Sequence, residues 1–528
     1  MLPFRVTFIA SAVLLTLAVA QHVSLYNKSG ISWPSLRFHF TIKRAASKIH
    51  GYSKFSVFAH PIISSNATSV LYNTFVSFGI NDALVNYSLV DGIEYVSRSS
   101  LDGSENRVQI NCIERDVLLP INSIVAALNE AERVSTTLTS DGSAISCPGG
   151  STYKASVNGI HFGVCFTENS GLIMYGTDLD IQVEYVVTDT PIFAPTIRAM
   201  ERRKCKKKLT SIFVTSIGKA LLTGQHISIG DARKLKVAFD FSLSQPSCSC
   251  KSKLRPCIFI HGLGSLVEEK ENLDSFHYWG NLTDRTPCCS STKFAVLNTL
   301  NNSWTDSNQQ QKVCDHILRA SNSSNGTNIS DTIIVSHSMG GLLVAGAVAS
   351  GKCRIDNSST WVSTGTPILG SMASDYFQES CKDKTNLFME KFVETTGFCP
   401  ADDGIKSLAY INESYCNPTL IHAYMAAQQV YRENVYALMC SSSFSGIISS
   451  YQVGFWLLGR VVSHKSLEND GMVEFLSCAG GFPRSKFGMS YSDRFYMSSL
   501  NHFDVAFRAG DALLDPRKMP VKWLECLL

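Results

Sequence analysis

The chain has 528 residues, of which 45% are hydrophobic and 17% are charged, and its formal net charge is +3. This composition is typical of a globular protein with more than one domain, and it excludes a largely disordered chain. A charge so close to balance gives no electrostatic reason to expect a nucleic-acid partner.

The first 20 residues have the pattern of a secretory signal peptide. Arg5 is followed by an apolar run from Val6 to Val19, and the small residues Ala18-Val19-Ala20 precede Gln21. The run is shorter than the ~20 residues that cross a bilayer as a helix, which favours cleavage over an uncleaved anchor. We therefore predict that residues 1–20 are removed and that the protein is secreted.

Two further features fit the secretory pathway. The 17 cysteines should mostly pair in an oxidising compartment, and their odd number leaves at least one thiol outside an internal pair. Cys248-Ser249-Cys250 and Cys288-Cys289 lack zinc-site spacing with nearby histidines, so we predict disulfides there. The candidate N-glycosylation sequons are at Asn27, Asn66, Asn86, Asn281, Asn301, Asn322, Asn325, Asn328, Asn357 and Asn412.

Residues 21–252 are dominated by strand-like patterns. Short alternating or β-branched runs at Phe75–Phe78, Val108–Cys112 and Ile181–Val187 are bounded by turn-forming residues. One helix is predicted near Ile121 to Arg133. No set of residues with catalytic chemistry is apparent, so we predict a β-rich accessory domain whose role the sequence leaves open.

A basic run at 202–208 and a Pro- and Cys-containing stretch at 245–253 precede a change of pattern. The basic run favours a solvated linker, with a proteolytic processing site or a patch for anionic lipid or polysaccharide as alternatives. The stretch at 245–253 is interpreted as a domain boundary.

From residue 253 onward strands alternate with helices. Buried strands are predicted at Cys257–Ile260, Phe294–Leu297 and Thr360–Ser363, with an amphipathic helix at Gln309–Ala320. Strands separated by helix-length connections predict an α/β domain: a doubly wound, mostly parallel sheet with helices on both faces. An insertion at about 371–463 is predicted to cap the sheet.

The stretch from Ile333 to Leu343 predicts a strand, a tight turn and a helix, with Ser338 at the turn. A nucleophilic serine lies at such a corner because its strained backbone exposes the hydroxyl, and small neighbours avoid collision. Gly340 is one such neighbour. Ser336 stands where the usual pattern has glycine, and we expect its extra hydroxymethyl group to be tolerated with strain.

A serine nucleophile needs a histidine base and a carboxylate that orients it. His502 is preferred over His422 and His464 because it lies in a polar loop before the last apolar stretch. Asp470, in a turn with sufficient chain before His502, is preferred as the acid, with Asp493 as the rival.

An oxyanion hole needs two preorganised amide donors. The amide of Met339 follows the nucleophile directly, and the amide of Leu263 lies between two glycines at the end of a predicted strand. The preceding His261 is interpreted as a structural hydrogen-bonding residue and not as a base.

Five short motifs occur in one order after Arg255: HGLG at 261–264, SHSMGG at 336–341, GTPILGS at 365–371, NDGMV at 469–473 and NHFD at 501–504. With them, the C-terminal half resembles secreted α/β-hydrolase lipases of the bacterial true-lipase and inositol-deacylase-like type. The resemblance implies an α/β-hydrolase fold with Ser338 as nucleophile, Asp470 as acid and His502 as base. It does not extend to the N-terminal half.

The chain departs from that family at two places. Ser336 replaces a glycine, and Ile368-Leu369 stand where the family usually has His-Arg. In some bacterial lipases the acid of an NHxD motif helps to hold calcium, which would implicate Asp504. No convincing partner acid is found upstream, so calcium is the weaker interpretation and no metal is predicted.

Together these residues predict a secreted serine hydrolase that cleaves a lipid-like carboxylic ester through an acyl-enzyme. No cofactor is predicted. Acyl transfer to an alcohol and deacylation of a phospholipid or GPI-type lipid would use the same residues. A lipid-like substrate would bring transient contact with a membrane or lipid surface. The alternatives are a catalytically inactive binding protein of the same fold and a protease, which the apolar cap disfavours.

Overall fold

The computed structural model describes residues 33–100, 109–113, 119–139, 142–186, 190–197, 205, 207, 209–226, 241–243, 248–382 and 399–528. The predicted signal peptide, Asn27, most of the basic run at 202–208 and residues 383–398 of the predicted cap lie outside these ranges. Within the described chain, Pro34–Leu528 forms one compact unit.

The N-terminal part is built on a large antiparallel sheet, which confirms the predicted β-rich character. Its strand order is β6-β5-β4-β3-β2-β1-β12-β11-β10-β9-β7, with β13 paired to β3 and a separate β8–β14 pair. The strands are β1 Ser35–Ile42, β2 Lys54–Ile63, β3 Ser69–Ile80, β4 Ala83–Val90, β5 Ile93–Ser100, β6 Gln109–Ile113, β7 Glu132–Arg133, β8 Thr137–Leu138, β9 Ser151–Val157, β10 Ile160–Thr167, β11 Gly171–Tyr175, β12 Leu179–Val186, β13 Ile212–Phe213 and β14 Phe241–Ser242.

One face of this sheet is apolar because side chains alternate along each strand. In β1, Leu36, Phe38 and Phe40 are buried, while Arg37 and His39 lie on the other face. Two helices, α1 Ile121–Asn129 and α2 Ser216–Thr223, pack against each other, and α1 contacts β3 and β9.

The helix predicted from Ile121 to Arg133 is shorter than expected. It ends at Asn129, and Glu132–Arg133 form strand β7 instead, paired with Lys154 and Tyr153 of β9. The apolar helical face is complete at Leu128, so the next residues gain ladder hydrogen bonds by joining the sheet.

The C-terminal part contains a sheet with strand order β16-β15-β18-β20-β21-β22, in which every pairing is parallel. Its strands are β15 Arg255–Ile260, β16 Cys289–Ala295, β18 Ile333–His337, β20 Thr360–Thr364, β21 Val435–Ser441 and β22 Phe495–Ser498, and a short β17 Asn328–Ile329 pairs with β19 Arg354–Ile355. The helices are α3 Ser307–Leu318, α4 Met339–Ala349, α5 Met372–Lys382, α6 Asp403–Lys406, α7 Pro418–Asn434, α8 Gln452–Val461, α9 Phe475–Ala479 and α10 Pro520–Leu527, with 3₁₀ turns at Ala45–Ser47, Arg484–Lys486, Asp504–Ala506 and Pro516–Lys518.

Both faces of the parallel sheet are buried. Ile258 and Ile260 belong to one apolar cluster, whereas Cys257 and Phe259 of the same strand belong to the cluster on the opposite face. A strand covered on both sides can be apolar on both faces, and residues 257–260 of β15 and 333–335 of β18 are consecutive buried apolar residues.

A buried ion-pair network joins the N-terminal sheet to the C-terminal helix. Arg44, just after β1, contacts Asp511 at 2.9 Å and also pairs with Glu525 of α10. Arg285 contacts the other oxygen of Glu525 at 3.1 Å. The side chains of Arg44, Asp511 and Glu525 are at most 10% exposed, so removal of Arg44 takes the paired cation from a buried Asp511 and leaves Glu525 with Arg285 alone.

Arg44→Gln is therefore expected to lower the free energy of unfolding by about 3–5 kcal/mol. The matched control is Arg37→Gln, which breaks an exposed 3.6 Å contact with Glu184 and is expected to cost at most about 1 kcal/mol. Denaturant unfolding measures both changes. Equal losses in the two variants would contradict a stabilising role for the network.

Eight disulfides link the described cysteines, and Cys416 is a buried free thiol. The pairs are Cys112–Cys205, Cys147–Cys165, Cys248–Cys526, Cys250–Cys288, Cys257–Cys289, Cys314–Cys353, Cys381–Cys399 and Cys440–Cys478. The cysteines at 248, 250, 288 and 289 are thus disulfide-bonded, as predicted. In the described ranges, no helix has the length and apolarity needed to cross a membrane.

Candidate active site

Ser338 occupies a strained turn between β18 and α4. Its φ and ψ are 54° and −131°, a backbone conformation with positive φ that residues other than glycine rarely adopt. Gly340 lies where the helix passes close to β15, because a Cβ at this position would be 2.4 Å from the carbonyl oxygen of Ile260. The predicted corner is therefore present, and its small residue is required by the packing.

Ser336 is accommodated by a hydrogen bond to the neighbouring strand. The side chain is fully buried, and its Oγ accepts a hydrogen bond from Nε1 of Trp361 at 2.8 Å. Ser336 does not have a positive φ, whereas Ser338, where a strained backbone was predicted separately, does. The hydroxyl that Ser336 has in place of the usual glycine thus gives the buried indole N–H of Trp361 a hydrogen-bond acceptor.

Ser336→Ala is expected to lower the free energy of unfolding by about 1–3 kcal/mol, because the indole N–H of Trp361 loses its acceptor. Thermal or denaturant unfolding measures the loss. A variant as stable as the natural protein would show that this hydrogen bond contributes nothing.

The structure brings Ser338, His502 and Asp470 together. The Oγ of Ser338 is 2.8 Å from Nε2 of His502, and Nδ1 of His502 is 2.7 Å from Oδ2 of Asp470. A carboxylate only accepts hydrogen bonds, so the histidine proton lies on Nδ1 and Nε2 accepts from the serine hydroxyl. Ser338 is 5% exposed, His502 is 4% exposed and Asp470 is 1% exposed.

Asp470 is held in place by backbone amides. Its Oδ1 accepts from the N–H groups of Met472 and Val473 at 2.9 and 2.7 Å, which leaves Oδ2 for His502. The backbone N–H of His502 also donates to the carbonyl oxygen of Asp470 at 2.9 Å. The carboxylate and the imidazole are therefore fixed relative to each other by side chain and main chain together.

The rival residues lie elsewhere. Asp493 accepts a hydrogen bond from the amide of Ser490 in the turn before β22. His464 pairs with Glu474 at 2.7 Å, and both side chains are buried. His422 is exposed on α7.

A second histidine, His337, supports His502. It was not among the site residues predicted from the sequence. Its Nε2 donates to the carbonyl oxygen of His502 at 3.0 Å, and its Nδ1 accepts from the hydroxyl of Tyr278 at 2.6 Å. Burial, with the charges of His502 and Arg508, lowers the pKa of His337 well below its usual value, so this ring is neutral. Its position beside Ser338 was visible in the sequence, but Tyr278 was not an expected partner.

Of the two residues predicted to supply oxyanion-hole amides, Met339 follows Ser338 directly, and Leu263 follows Gly262, which lies against Ser338. Met339 is the first residue of α4, so its N–H is among those that a helix leaves without an internal acceptor. A Cβ on Gly262 would lie 2.5 Å from Cβ of Ser338, which places the chain just before Leu263 against Ser338. The backbone can approach this closely only because residue 262 is glycine.

His261 makes two backbone contacts that account for its burial. Its Nδ1 donates to the carbonyl oxygen of Gly262 at 2.7 Å, and its Nε2 accepts from the amide of Leu297 at 3.0 Å. Burial lowers its pKa to about 4, so the ring is a neutral structural link between neighbouring strand ends.

Asp504, the residue that a calcium site would implicate, is bonded to backbone amides. Its Oδ2 accepts from the amide of Ile447 at 2.8 Å and weakly from that of Asn501, and Lys518 contributes a positive charge nearby. Burial raises its pKa to about 7. Among the described residues, no group of three or more His, Cys, Asp or Glu side chains is arranged to hold a metal.

Apolar residues of the predicted cap contact the loops that carry the site. Phe455 and Leu458 of α8 are buried with Phe377 and Ile405, and this cluster packs against Leu263, Met472 and Phe503. Each of the last three residues is an oxyanion candidate or lies within two positions of Asp470 or His502. Phe377, Ile405, Phe455 and Leu458 therefore form an apolar wall beside the site. The predicted cap at 371–463 is too long, because β21 within it is a strand of the parallel sheet, paired with β20 and β22.

Other residues of the predicted cap do not contribute to this apolar wall. Tyr424 is buried in the core cluster on one face of the parallel sheet, and Met425 is exposed. Phe388, Met389 and Phe392 lie outside the described residues.

The chain matches no family model and no curated protein. Among solved structures it is similar to Staphylococcus hyicus lipase, with a TM-score of 0.29 and 15% identity over 53% of this chain and 95% of that one. It is also similar to prolyl oligopeptidase B from Galerina marginata, with a TM-score of 0.17 and 9% identity over 76% and 59% of the two chains. A prolyl endopeptidase matches with a TM-score of 0.15 and 9% identity over 75% and 67%. These likenesses are slight and assign no function to the chain.

Proposed function

We propose that this protein is a secreted serine hydrolase of α/β-hydrolase type that cleaves carboxylic esters through an acyl-enzyme. One observation carries the proposal: an unbroken chain of hydrogen bonds runs from the hydroxyl of Ser338 through His502 to Asp470. A serine hydroxyl is a weak nucleophile unless a correctly oriented imidazole accepts its proton.

In the proposed reaction, Oγ of Ser338 attacks the ester carbonyl carbon while its proton moves to Nε2 of His502. Asp470 stabilises the imidazolium that forms, and the amides of Met339 and Leu263 donate to the carbonyl oxygen as it becomes negative. His502 then returns the proton to the departing alcohol, which leaves the acyl group on Ser338. A water molecule, or an alcohol in a transfer reaction, then attacks the acyl carbonyl carbon while His502 accepts its proton. The acyl group leaves Ser338 as His502 returns the proton to Oγ.

The apolar wall formed by Phe455 and its neighbours supports an acyl chain as the group that binds beside Ser338. Apolar side chains at this position would exclude water and favour a lipid-like ester over a peptide. The disulfides fit a protein that matures in an oxidising compartment.

The test is turnover by the purified, secreted protein on a panel of 4-nitrophenyl esters of increasing chain length, beside matched anilides and peptides. Hydrolysis of esters without hydrolysis of peptides is expected. Peptide turnover would instead favour a protease. If no substrate reacts and a fluorophosphonate probe fails to label the protein in detergent, the protein is a non-catalytic binding protein.

A further inference from the structure

Arg508 is a half-buried cation that makes no ion pair with any Asp or Glu in the described part of the chain. Its Nε donates to the carbonyl oxygen of Tyr278 at 2.6 Å. The guanidinium carbon lies 4.0 Å from the ring centroid of Phe503 and 4.4 Å from that of Tyr278. Stacking on aromatic rings stabilises the charge while the edge of the guanidinium keeps its N–H donors available.

The two aromatic residues that hold Arg508 border the catalytic groups. Phe503 follows His502 directly, and the Tyr278 hydroxyl bonds to His337. That hydroxyl would lie 2.7 Å from a Cβ on Gly262, the residue whose backbone contacts Ser338. The positive charge of Arg508 accordingly acts on the pKa of His337.

The backbone before Arg508 is strained and tightly held, so the direction of the side chain is set by the fold. Phe507 has a φ of 64°, which is unfavourable for a bulky residue. Its ring stacks on Trp279, and a Cβ on Gly280 would lie 1.8 Å from its carbonyl oxygen. The segment after His502 therefore cannot relax without disturbing the packing beneath the site.

We propose that Arg508 binds an anionic group of the substrate, a phosphate or a carboxylate, while the ester carbonyl lies at Ser338. This assignment rests on the proposed ester hydrolase function. A guanidinium binds such oxyanions through two parallel N–H donors, and none of the described carboxylates fills that role. Of the carboxylates beside the site, Asp470 is already committed to His502 and to two amides.

The test compares kcat/KM for release of hexanoate from soluble esters that share two hexanoyl chains and differ in the head group: dihexanoylglycerol, dihexanoylglycerol phosphate and dihexanoylglycerol hemisuccinate. Arg508→Gln is expected to lower the ratio of anionic to neutral kcat/KM by about tenfold or more. Arg508→Lys keeps the charge without the two parallel donors and is expected to restore part of the ratio. The phosphate and the carboxylate substrates show which anion is preferred.

The control is Arg354→Gln, which removes the same charge from the exposed strand β19. It is expected to leave the ratio unchanged. An unchanged ratio in Arg508→Gln, or equal loss on neutral and anionic esters, would overturn the proposal, because a structural role lowers both rates together.

Binding of hexyl phosphate to the Ser338→Ala protein, measured by calorimetry, separates this inference from the proposed function. Binding that is lost in Ser338→Ala/Arg508→Gln supports the anion site even if no ester is hydrolysed. Ester hydrolysis without hexyl phosphate binding supports the hydrolase and overturns the anion site.

Discussion

Ser338→Ala is expected to abolish ester turnover, with a loss of about 10⁴-fold or more in kcat, and to abolish labelling by a fluorophosphonate probe. The reason is that Oγ of Ser338 is the atom aligned with His502, and alanine removes it without filling the site. His502→Ala is expected to cause a comparable loss because no other base contacts the hydroxyl among the described residues. Initial rates on a short-chain ester and in-gel probe fluorescence measure both effects.

Ser336→Ala is the matched control for this experiment. Ser336 lies two residues before Ser338 and is fully buried, but its hydroxyl faces Trp361 and not His502. The control protein is expected to be less stable and still to label. Labelling that persists in Ser338→Ala and disappears in Ser336→Ala would show that the wrong serine has been assigned.

Asp470→Asn is expected to reduce kcat by roughly 10³- to 10⁴-fold while leaving the protein folded. The asparagine oxygen can still accept from the amides of Met472 and Val473, so the loop keeps its anchors. Its NH₂ group would then face Nδ1 of His502, and this favours the tautomer that carries the proton on Nε2. A protonated Nε2 cannot accept the proton of Ser338, so the nucleophile is no longer activated.

Asp493→Asn provides the comparison, because Asp493 was the rival acid from the sequence. Its carboxylate accepts from the amide of Ser490, away from His502. Turnover near that of the natural protein is expected. If Asp493→Asn loses activity and Asp470→Asn does not, the acid has been misassigned, and kcat at a saturating concentration of one short-chain ester decides between them.

Local patterns predicted most of the elements that position the site. The apolar run before Ser338 and the glycines after it indicate a strand, a tight turn and a helix, and β18 and α4 have those positions. This worked because the run of β-branched residues and the small residues at the corner are local constraints. The end of α1 was mispredicted because residues 132–133 pair with β9, a contact that no local pattern contains.

The supporting residues could not be predicted from local pattern. Tyr278, His337 and Arg508 are distant in the chain, and each would read as an ordinary residue by itself. Their roles depend on ring contacts and hydrogen bonds that form only when the loop at 276–280 packs against the segment after His502. The same holds for the Ser336 hydroxyl, whose partner Trp361 lies on the neighbouring strand.

By itself, the sequence determined the strand–turn–helix corner at Ser338, the apolar strands of a parallel sheet and the cysteines that form eight disulfides. The tertiary structure alone decided that Asp470, and not Asp493, reaches His502, and that Arg508 stacks on Phe503, the residue after His502. The physical reason is the range of the interactions. Backbone conformation and burial depend on neighbouring residues, whereas hydrogen bonds among residues 338, 470 and 502 depend on how the whole sheet and its insertion close around one point.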